Sequence, residues 1–265
     1  MSSLAQLYGR TLFLVAHPDD EVITFGALLQ RVKHPLVVYA TNGSPRDPYF
    51  WRDHGTREAY SELRQGEATR ALAELGVIAI EFLPLVDQEL YVTLDTAYAR
   101  VEEIVRRFQP EAIVTLAYEG GHPDHDSCSL LSSVIGRDLQ TPVWEGPIYN
   151  RAAGVQKFAS GEEGNVLDLS EIELQKKLNA CKQYPSQGDF LGTFSLEREV
   201  VRPQAAYDYS RPPHEGKLNY EAWQWTMTGE DVCRAFSEFL RSRTLERREV
   251  RGHENSVCRV PSVAR

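Results

Sequence analysis

Near its start, this 265-residue chain reads Thr11-Leu12-Phe13-Leu14-Val15-Ala16-His17-Pro18-Asp19-Asp20-Glu21. The apolar run Leu12 to Ala16 is typical of a strand buried on both faces of a parallel sheet. A histidine and three carboxylates follow where the strand ends and a helix should begin, and Asp19 or Asp20 is placed to cap that helix. Open α/β sheets bind ligands at that edge, and a metal ion or a substrate amine would offset the repulsion among the carboxylates. We therefore predict the active centre at this stretch.

The alternation of apolar strands and amphipathic helices continues along the first half of the chain. The predicted strands are 12–16, 36–40, 77–85 and 112–117, and the predicted helices between them are 22–32, 56–75 and 94–108. Further strands are predicted at 143–149 and 166–169, and a helix follows Ser170 to about Tyr184. This order predicts an α/β fold, with a Rossmann-like, mostly parallel sheet that carries helices on both faces.

A second charged motif, His122-Pro123-Asp124-His125, follows the fourth predicted strand and precedes a helix predicted at 126–137. It repeats the arrangement of the first motif, so both are expected at the same edge of the sheet. Imidazole and carboxylate side chains at this spacing suit a divalent cation, zinc above all. Three protein ligands would leave one position for water, a spare carboxylate could act as general base, and a spare histidine could donate to an oxyanion or leaving group. Either motif alone is common in turns, but two copies favour a catalytic metal site.

Together, Ala16 to Glu21 and His122 to His125 resemble the paired motifs of the PIG-L/LmbE family of zinc-dependent N-acetylglucosaminyl deacetylases. The resemblance extends over about residues 10 to 190. It implies Zn²⁺ as the cofactor, with another divalent metal as the alternative, and it implies three metal ligands: His17, Asp20 and His125. It further implies that Asp19 is the general base and that His122 stabilises the oxyanion and assists the leaving amine.

Weaker matches to the family imply substrate contacts. Arg64 and Glu67 fit a family helix in which the arginine touches the sugar, although a surface ion pair between the two residues is the alternative. Asp87 lies just past the third strand, where the family has a substrate-contacting aspartate.

One position departs from the family pattern. Some members carry a mobile tyrosine two residues before the first histidine of the second motif, and Gly120 occupies that place here. The nearest preceding tyrosine, Tyr118, lies two residues further back, so the predicted oxyanion contact rests on His122 alone.

These residues predict a metal-dependent hydrolase that removes the N-acetyl group from an amino sugar, an N-acetylglucosamine-type conjugate, and releases acetate. Two alternatives remain open: a deacylase of another N-acyl amine, and a non-catalytic sugar-binding protein that keeps the metal site. A nucleotide-binding domain is disfavoured because no glycine-rich phosphate-binding loop follows the first strand.

The composition of the chain argues against two classes of binding partner. The net charge of −9 and the pI near 5.4 argue against nucleic acid or an anionic membrane surface as the main partner. The sequence contains no stretch that predicts a transmembrane helix or a secretory signal. Four scattered cysteines without a CxxC pair suit reduced thiols in the cytoplasm.

The pattern predicts a zinc deacetylase domain over residues 1–190 and an irregular C-terminal extension over 191–265 that packs on or near it. Within the extension, a strand is predicted at 199–202, a helix at 230–242 and a flexible tail at 243–265. The segment 205–228 is rich in Tyr, Trp and Pro, and it could cover the pocket, pack on the sheet edge or form a homo-oligomer contact.

Overall fold

The computed structural model describes residues 4–161 and 163–257. Its strands are β1 (Arg10–Val15), β2 (His34–Tyr39), β3 (Ile80–Phe82), β4 (Ala112–Leu116), β5 (Val143–Gly146), β6 (Tyr149–Asn150), β7 (Gly154–Val155), β8 (Asn165–Asp168) and β9 (Arg198–Pro203). Its α-helices are α1 (Asp20–Arg31), α2 (Arg57–Glu74), α3 (Leu94–Phe108), α4 (Pro123–Leu139), α5 (Glu171–Cys181), α6 (Gly188–Leu191), α7 (Asn219–Ala222) and α8 (Gly229–Val257).

Seven strands form one twisted sheet in the order β3-β2-β1-β4-β5-β9-β8. The first five pair in parallel, and β9 runs antiparallel to both of its neighbours. On one side α5 contacts α1 and α2, and on the other α4 contacts α3 and α8, which gives the sheet a helical layer on each face. The predicted α/β class and mostly parallel sheet are confirmed.

The strand order reverses between β1 and β4, and both predicted motifs lie at that point. Chain connections leave β1 and β4 toward opposite sides of the sheet, which opens a crevice at the carboxyl ends of the two strands. Apart from the exposed Arg10, the residues of both strands are buried, as their mainly apolar sequences require. The crevice therefore has a rigid floor.

Several boundaries differ from the prediction. The edge strand β3 is only three residues long because it pairs with β2 over three positions, Val37 to Tyr39. Helix α4 begins at Pro123 rather than Asp126, since proline suits the first helical position and His122 Nδ1 accepts the backbone N–H of Asp124. The last helix continues to Val257 instead of ending at Ser242. The final residues of the predicted flexible tail, 258–265, lie outside the described residues.

The C-terminal extension joins the main sheet and also reaches the crevice. Strand β9 lies between β5 and β8, so residues from both sides of position 190 share one sheet. In the aromatic segment 205–228, Tyr209 and Tyr220 are buried in the core, whereas Trp223 is 46% exposed. Packing in the core accounts for one part of this segment, and Trp225, whose ring lies 5.0 Å from that of His122, places another part beside the crevice.

Three cysteines, Cys128, Cys181 and Cys233, are free thiols, and Cys258 lies outside the described residues. Among the helices described here, none combines the length and apolar character needed to cross a membrane. The predicted cytoplasmic location stays a prediction.

A buried ion pair fixes α1 to the rest of the molecule. Lys177 Nζ lies 2.6 Å from Glu199 Oε1, and both side chains are inaccessible to solvent. Glu199 also accepts the backbone N–H groups of Ala27 at 2.6 Å and Leu28 at 3.0 Å. Lys177 Nζ donates to the carbonyl oxygen of Ile23 at 3.1 Å. The pair thus ties the middle of α1, whose first turn carries acidic site residues, to α5 and β9.

Replacing Lys177 with methionine should lower the free energy of unfolding by about 3–5 kcal/mol, because Glu199 would stay buried without its counter-charge. Urea unfolding followed by circular dichroism measures this change. Lys177→Met combined with Glu199→Gln should recover part of the loss, and Lys182→Met, at an exposed position of the same segment, serves as the control. Wild-type stability of Lys177→Met would contradict the structural role of the pair.

Candidate metal centre and active site

The turn between β1 and α1 is built by two carboxylates that bind backbone groups. Asp20 Oδ2 accepts the N–H groups of Ala16 at 3.1 Å and His17 at 2.8 Å, which folds the turn back on the strand. Asp19 occupies the N-cap position, but its side chain forms no cap hydrogen bond. The prediction that the Asp19 carboxylate caps the helix is therefore wrong. Its φ of 127° lies where non-glycine residues are strained, at a typical cost of about 1–3 kcal/mol. The N–H of Asp19 donates to Glu21 Oε2 at 3.0 Å and helps hold this conformation.

Three histidines meet above the crevice. His17, from the end of β1, and His122 and His125, from the start of α4, offer ring nitrogens that all lie within 4.8 Å of one another. All three side chains are buried. Asp20 Oδ1 lies 3.2 Å from His125 Nε2, and Asp20 Oδ2 lies 3.5 Å from His17 Nδ1. The three predicted ligands His17, Asp20 and His125 are therefore brought together.

A second group of donors overlaps the first. His17, Asp87, His122 and Asp124 also have ligand atoms within 4.8 Å of one another. Asp87 Oδ1 lies 3.1 Å from His17 Nε2 and 3.5 Å from His122 Nε2. The loop after β3 thus brings the predicted substrate-contacting aspartate to the same crevice.

The donor set fits a divalent cation. His125 is 1% exposed, its Nδ1 forms no hydrogen bond within the described part of the chain, and its Nε2 has the Asp20 carboxylate 3.2 Å away. Buried polar atoms are rarely left without a partner, because the loss of water is not compensated. A cation with imidazole and carboxylate ligands would supply that partner, and the chemistry of the donors suits such an ion.

The pKa of His17 shows that the crevice favours positive charge. Burial alone would lower the pKa of His17. The negative charge of Asp87 and hydrogen bonds to Asp124, Asp20 and Asp87 outweigh burial and raise it well above its ordinary value. A divalent cation would offset the same carboxylates that otherwise hold a proton on this ring.

The pKa values of Asp19 and His122 are shifted so that both side chains favour their neutral forms. Loss of solvent raises the pKa of Asp19 well above its usual range, the Arg64 guanidinium opposes the shift, and the charge of Asp20 adds to it. Burial, and then the neighbouring histidines, lower the pKa of His122 well below its ordinary value. A carboxylate with a raised pKa is suited to accept and return a proton near neutral pH.

Both motifs lie in a segment that matches a known family. Residues 12–135 match the family model of PIG-L, described as GlcNAc-PI de-N-acetylase. These residues form a PIG-L family domain. The match includes β1, α1 and the start of α4, which together carry the three histidines, and it ends before β5.

The curated relatives resemble the same part of the chain. A protein of Catenulispora acidiphila named 1D-myo-inositol 2-acetamido-2-deoxy-alpha-D-glucopyranoside deacetylase 1 is 33% identical over 145 residues, which cover 44% of this chain and 44% of the relative. The chain thus spans about half the length of the curated relatives it matches.

Solved structures show that the fold of the PIG-L domain is shared more widely than its sequence. The A40926 pseudoaglycone deacetylase Dbv21 superposes with a TM-score of 0.60 at 21% identity, over 75% of this chain and 99% of that one. A 4-carboxy-2-hydroxymuconate hydratase from Pseudomonas putida superposes with a TM-score of 0.53 at 16% identity, again over 75% and 99% of the two chains. Since one of these proteins is a deacetylase and the other a hydratase, the fold alone does not define the chemistry.

Arg64 binds the turn between β1 and α1. It is 6% exposed, and its Nη2 donates to the carbonyl oxygen of Pro18 at 2.5 Å and to Asp19 Oδ2 at 3.0 Å. The alternative of a surface pair with Glu67 is wrong, because Glu67 is buried and accepts the N–H and hydroxyl of Ser186. Contact between Arg64 and a sugar stays a prediction.

Asp124, for which the sequence pattern predicts no role, connects three parts of the site. Its Oδ2 lies 3.2 Å from His17 Nε2 and accepts the N–H of Gln88 at 2.6 Å, and its Oδ1 accepts the N–H of Leu90 at 3.0 Å. Asp124 thereby positions His17 and the loop after β3. One feature of the sequence indicates a role for Asp124: it occupies the third position of the repeated His-Pro-Asp pattern.

Two aromatic contacts were also missed. The Tyr149 ring lies 5.4 Å from the His125 ring in a T-shaped contact, and the Trp225 ring lies 5.0 Å from that of His122. Both come from beyond the PIG-L segment, and no local motif marks either. Tyr118 is directed elsewhere, since its hydroxyl donates to the carbonyl oxygen of Arg211.

Proposed function

We propose that this chain is a metal-dependent hydrolase that removes the N-acetyl group from an amino sugar of the N-acetylglucosamine type and releases acetate. The observation that carries the proposal is the buried group of three histidines and surrounding carboxylates at the reversal point of the sheet. That group lies within a segment that matches a de-N-acetylase family. The names of the curated relatives, which are deacetylases of an N-acetylated glucosamine conjugate, support the same substrate class.

We propose Zn²⁺ as the metal and His17, Asp20 and His125 as its ligands. When bound, zinc supplies Lewis-acid chemistry: it polarises a carbonyl and lowers the pKa of water to near 7. The hydrogen bonding of His122 favours this ligand set. His122 Nδ1 accepts the N–H of Asp124 at 3.1 Å, so a neutral His122 ring carries its proton on Nε2, which faces the crevice. A protonated Nε2 donates hydrogen bonds and does not bind a cation.

The same tautomer gives His122 its proposed role. Its Nε2–H is directed toward the side of the crevice where Asp87 Oδ1 lies, 3.5 Å away. A substrate carbonyl oxygen that reaches this Nε2–H in place of Asp87 would accept it as a hydrogen bond and gain most from it when negative charge develops. His122 would thus stabilise the oxyanion without a change in its own charge.

Asp19 is the proposed base. Its buried carboxylate takes a proton from the attacking water, whose oxygen forms a bond to the acetyl carbon. The carbon–nitrogen bond then breaks, the nitrogen receives the proton from Asp19, and acetate and the free amine leave. Arg64 keeps the Asp19 carboxylate in place through the 3.0 Å hydrogen bond between Nη2 and Oδ2.

Asp87 and Arg64 are the proposed substrate-binding residues. Asp87 is 6% exposed, and its Oδ2 lies 3.9 Å from Arg64 Nη1. A sugar hydroxyl could donate to Asp87, whereas most donors of Arg64 are already used within the turn. We therefore assign the main hydroxyl contact to Asp87.

Metal analysis and an acetate-release assay test the proposal together. The protein loaded with zinc should release acetate from N-acetylglucosamine conjugates, lose this activity with a chelator and regain it when zinc is restored. N-acetyl amino acids should not be hydrolysed. Hydrolysis of N-acyl amino acids alone would favour the general deacylase, and sugar binding with bound metal but without acetate release would favour the non-catalytic alternative.

Glu21 should affect the rate through Asp19. Glu21 is fully buried, Tyr184 Oη donates to its Oε1, and its Oε2 accepts the N–H of Asp19. Replacing Glu21 with alanine should lower kcat by about 10- to 100-fold, as is typical of residues that orient a reacting group. Glu21→Gln keeps an acceptor for Asp19 and should retain most of the rate. Equal losses in both variants would show that the carboxylate has another role.

A further inference from the structure

Tyr149 places a phenol ring directly beside the three histidines. The centre of its ring lies 5.4 Å from that of His125 in a T-shaped contact. The residue belongs to β6 and lies beyond the segment 12–135 that matches the family model. Tyr149 is only 9% exposed, so its side chain is largely removed from bulk solvent.

The Tyr149 ring is held in a fixed position relative to the histidines. The backbone N–H of Tyr149 donates to Oε1 of the buried Glu119 at 2.9 Å. A Cβ at Gly121 would lie 2.2 Å from the Tyr149 carbonyl oxygen and 3.0 Å from its ring, so the ring packs closely on the residue before His122. Three further aromatic rings surround it, with centres between 5.8 and 6.3 Å away: Phe190, Phe194 and Trp223.

The hydroxyl of Tyr149 has no partner among the residues described here. Within residues 4–161 and 163–257, Tyr149 Oη forms no hydrogen bond, whereas the backbone N–H of the same residue is bonded. Hydroxyls removed from solvent are normally hydrogen-bonded, because the loss of water is otherwise not compensated. The Tyr149 hydroxyl can therefore bind a ligand that enters the crevice.

The charges that act on this hydroxyl show which way it faces. Burial raises the pKa of Tyr149 well above its ordinary value. Three carboxylates of the site then add to the shift: Asp20, Asp19 and Asp87. Glu119 contributes less than any of the three, although it binds the backbone of the same residue. The ring therefore extends away from Glu119 and carries a protonated hydroxyl, a hydrogen-bond donor, toward the crevice.

We propose that the Tyr149 hydroxyl is a second donor to the carbonyl oxygen of the substrate and stabilises the oxyanion together with the Nε2–H of His122. The inference rests on the proposed function, because that function places the acetamido group at the histidines. A neutral donor that is fixed before the substrate binds needs no reorganisation, and its hydrogen bond strengthens as negative charge develops. Tyr149 is thus a catalytic residue supplied by β6, outside the family segment.

Tyr149→Phe tests the donor alone, because it removes the hydroxyl and keeps the ring. In the zinc-loaded protein it should lower kcat for acetate release by about 100-fold, within the roughly 10²- to 10³-fold range typical of one oxyanion donor. KM, zinc content and Tm should change little. Tyr98→Phe is the matched control and should leave kcat unchanged, since Tyr98 is also buried and its hydroxyl donates to Asp138 at 3.0 Å near the other end of α4. A loss of less than about tenfold in Tyr149→Phe would overturn the inference.

A substrate with an N-trifluoroacetyl group separates an oxyanion donor from a structural role. Fluorine already withdraws charge from the developing oxyanion, so the loss of kcat caused by Tyr149→Phe should shrink to about tenfold or less on this substrate. A ring that only supports the fold would affect both substrates alike. Equal losses on the N-acetyl and N-trifluoroacetyl substrates would therefore overturn the inference.

Calorimetric titration of acetate into the zinc-loaded protein tests the same hydrogen bond without turnover. An acetate oxygen at the histidines would accept from the Tyr149 hydroxyl, so Tyr149→Phe should weaken acetate binding by about tenfold, as expected for one hydrogen bond to a charged group. If the wild type releases no acetate from any substrate, the proposed function fails and this titration decides the inference. Weaker binding in Tyr149→Phe supports the inference, and equal binding by the two proteins, or none by either, overturns it.

Discussion

Asp19→Asn should lower kcat for acetate release by about 10³-fold, within the 10²- to 10⁴-fold range typical of a general base. Asparagine has the shape of aspartate and tolerates positive φ better than most residues, so the turn at φ 127° should persist. Its amide oxygen can still accept the hydrogen bond from Arg64, but it cannot take a proton from water. The loss should therefore fall on kcat, with little change in KM.

Metal content is measured alongside the rate of Asp19→Asn, because a lost metal would mimic a lost base. The variant should bind the same amount of zinc per chain as the wild type. Asp95→Asn, an exposed aspartate in the first turn of α3, is the matched control and should leave both quantities unchanged. If Asp19→Asn keeps more than a tenth of the wild-type kcat, another group is the base.

His125→Ala should abolish zinc binding and hydrolysis together. The variant lacks one of three proposed ligands, and the remaining donors do not complete a catalytic zinc site. In the wild type, zinc at 100 times its Kd should stabilise the fold by about 2.7 kcal/mol, which is seen as a rise in Tm. The variant should show no such rise, even at high zinc concentration.

The same measurements on two other histidines show whether the ligand assignment is right. His34→Ala, at an exposed position of β2, should bind zinc as the wild type does. His122→Ala should keep the metal but lose rate, since His122 is assigned to the oxyanion. If His122→Ala loses zinc and His125→Ala retains it, the two histidines exchange roles.

The fold and the half of the site that is local in sequence could be predicted. Strand β1 and the motif at His17 are adjacent in the chain. An apolar run followed by charged residues predicts a buried strand that ends at the edge of the sheet. The repeat at His122 to His125 gave the second half for the same reason. The buried strands and the two charged motifs each depend on residues that are close together in the chain, so they can be predicted from the sequence.

Other parts of the site depend on contacts between distant segments. Tyr149 reaches His125 only because the chain bends after β5, and Trp225 reaches His122 across more than a hundred residues. Arg64 is directed to Asp19 rather than Glu67 by the packing of α2 against the turn. These contacts depend on how whole helices and strands pack together, so no periodicity or spacing in the sequence predicts them.

The position of β9 limits how far the chain can be shortened. Residues 12–135 are the segment with a recognisable family pattern, yet removing everything after it would strip β5, β8 and β9 from the sheet and leave β4 as an uncovered edge. Exposed, apolar edges of this kind pair with other molecules and aggregate. Such a fragment would also lack both Lys177 and Glu199, which bind the middle of α1. The shortest part of the chain that can fold and function is therefore considerably longer than the segment 12–135 that matches the family model.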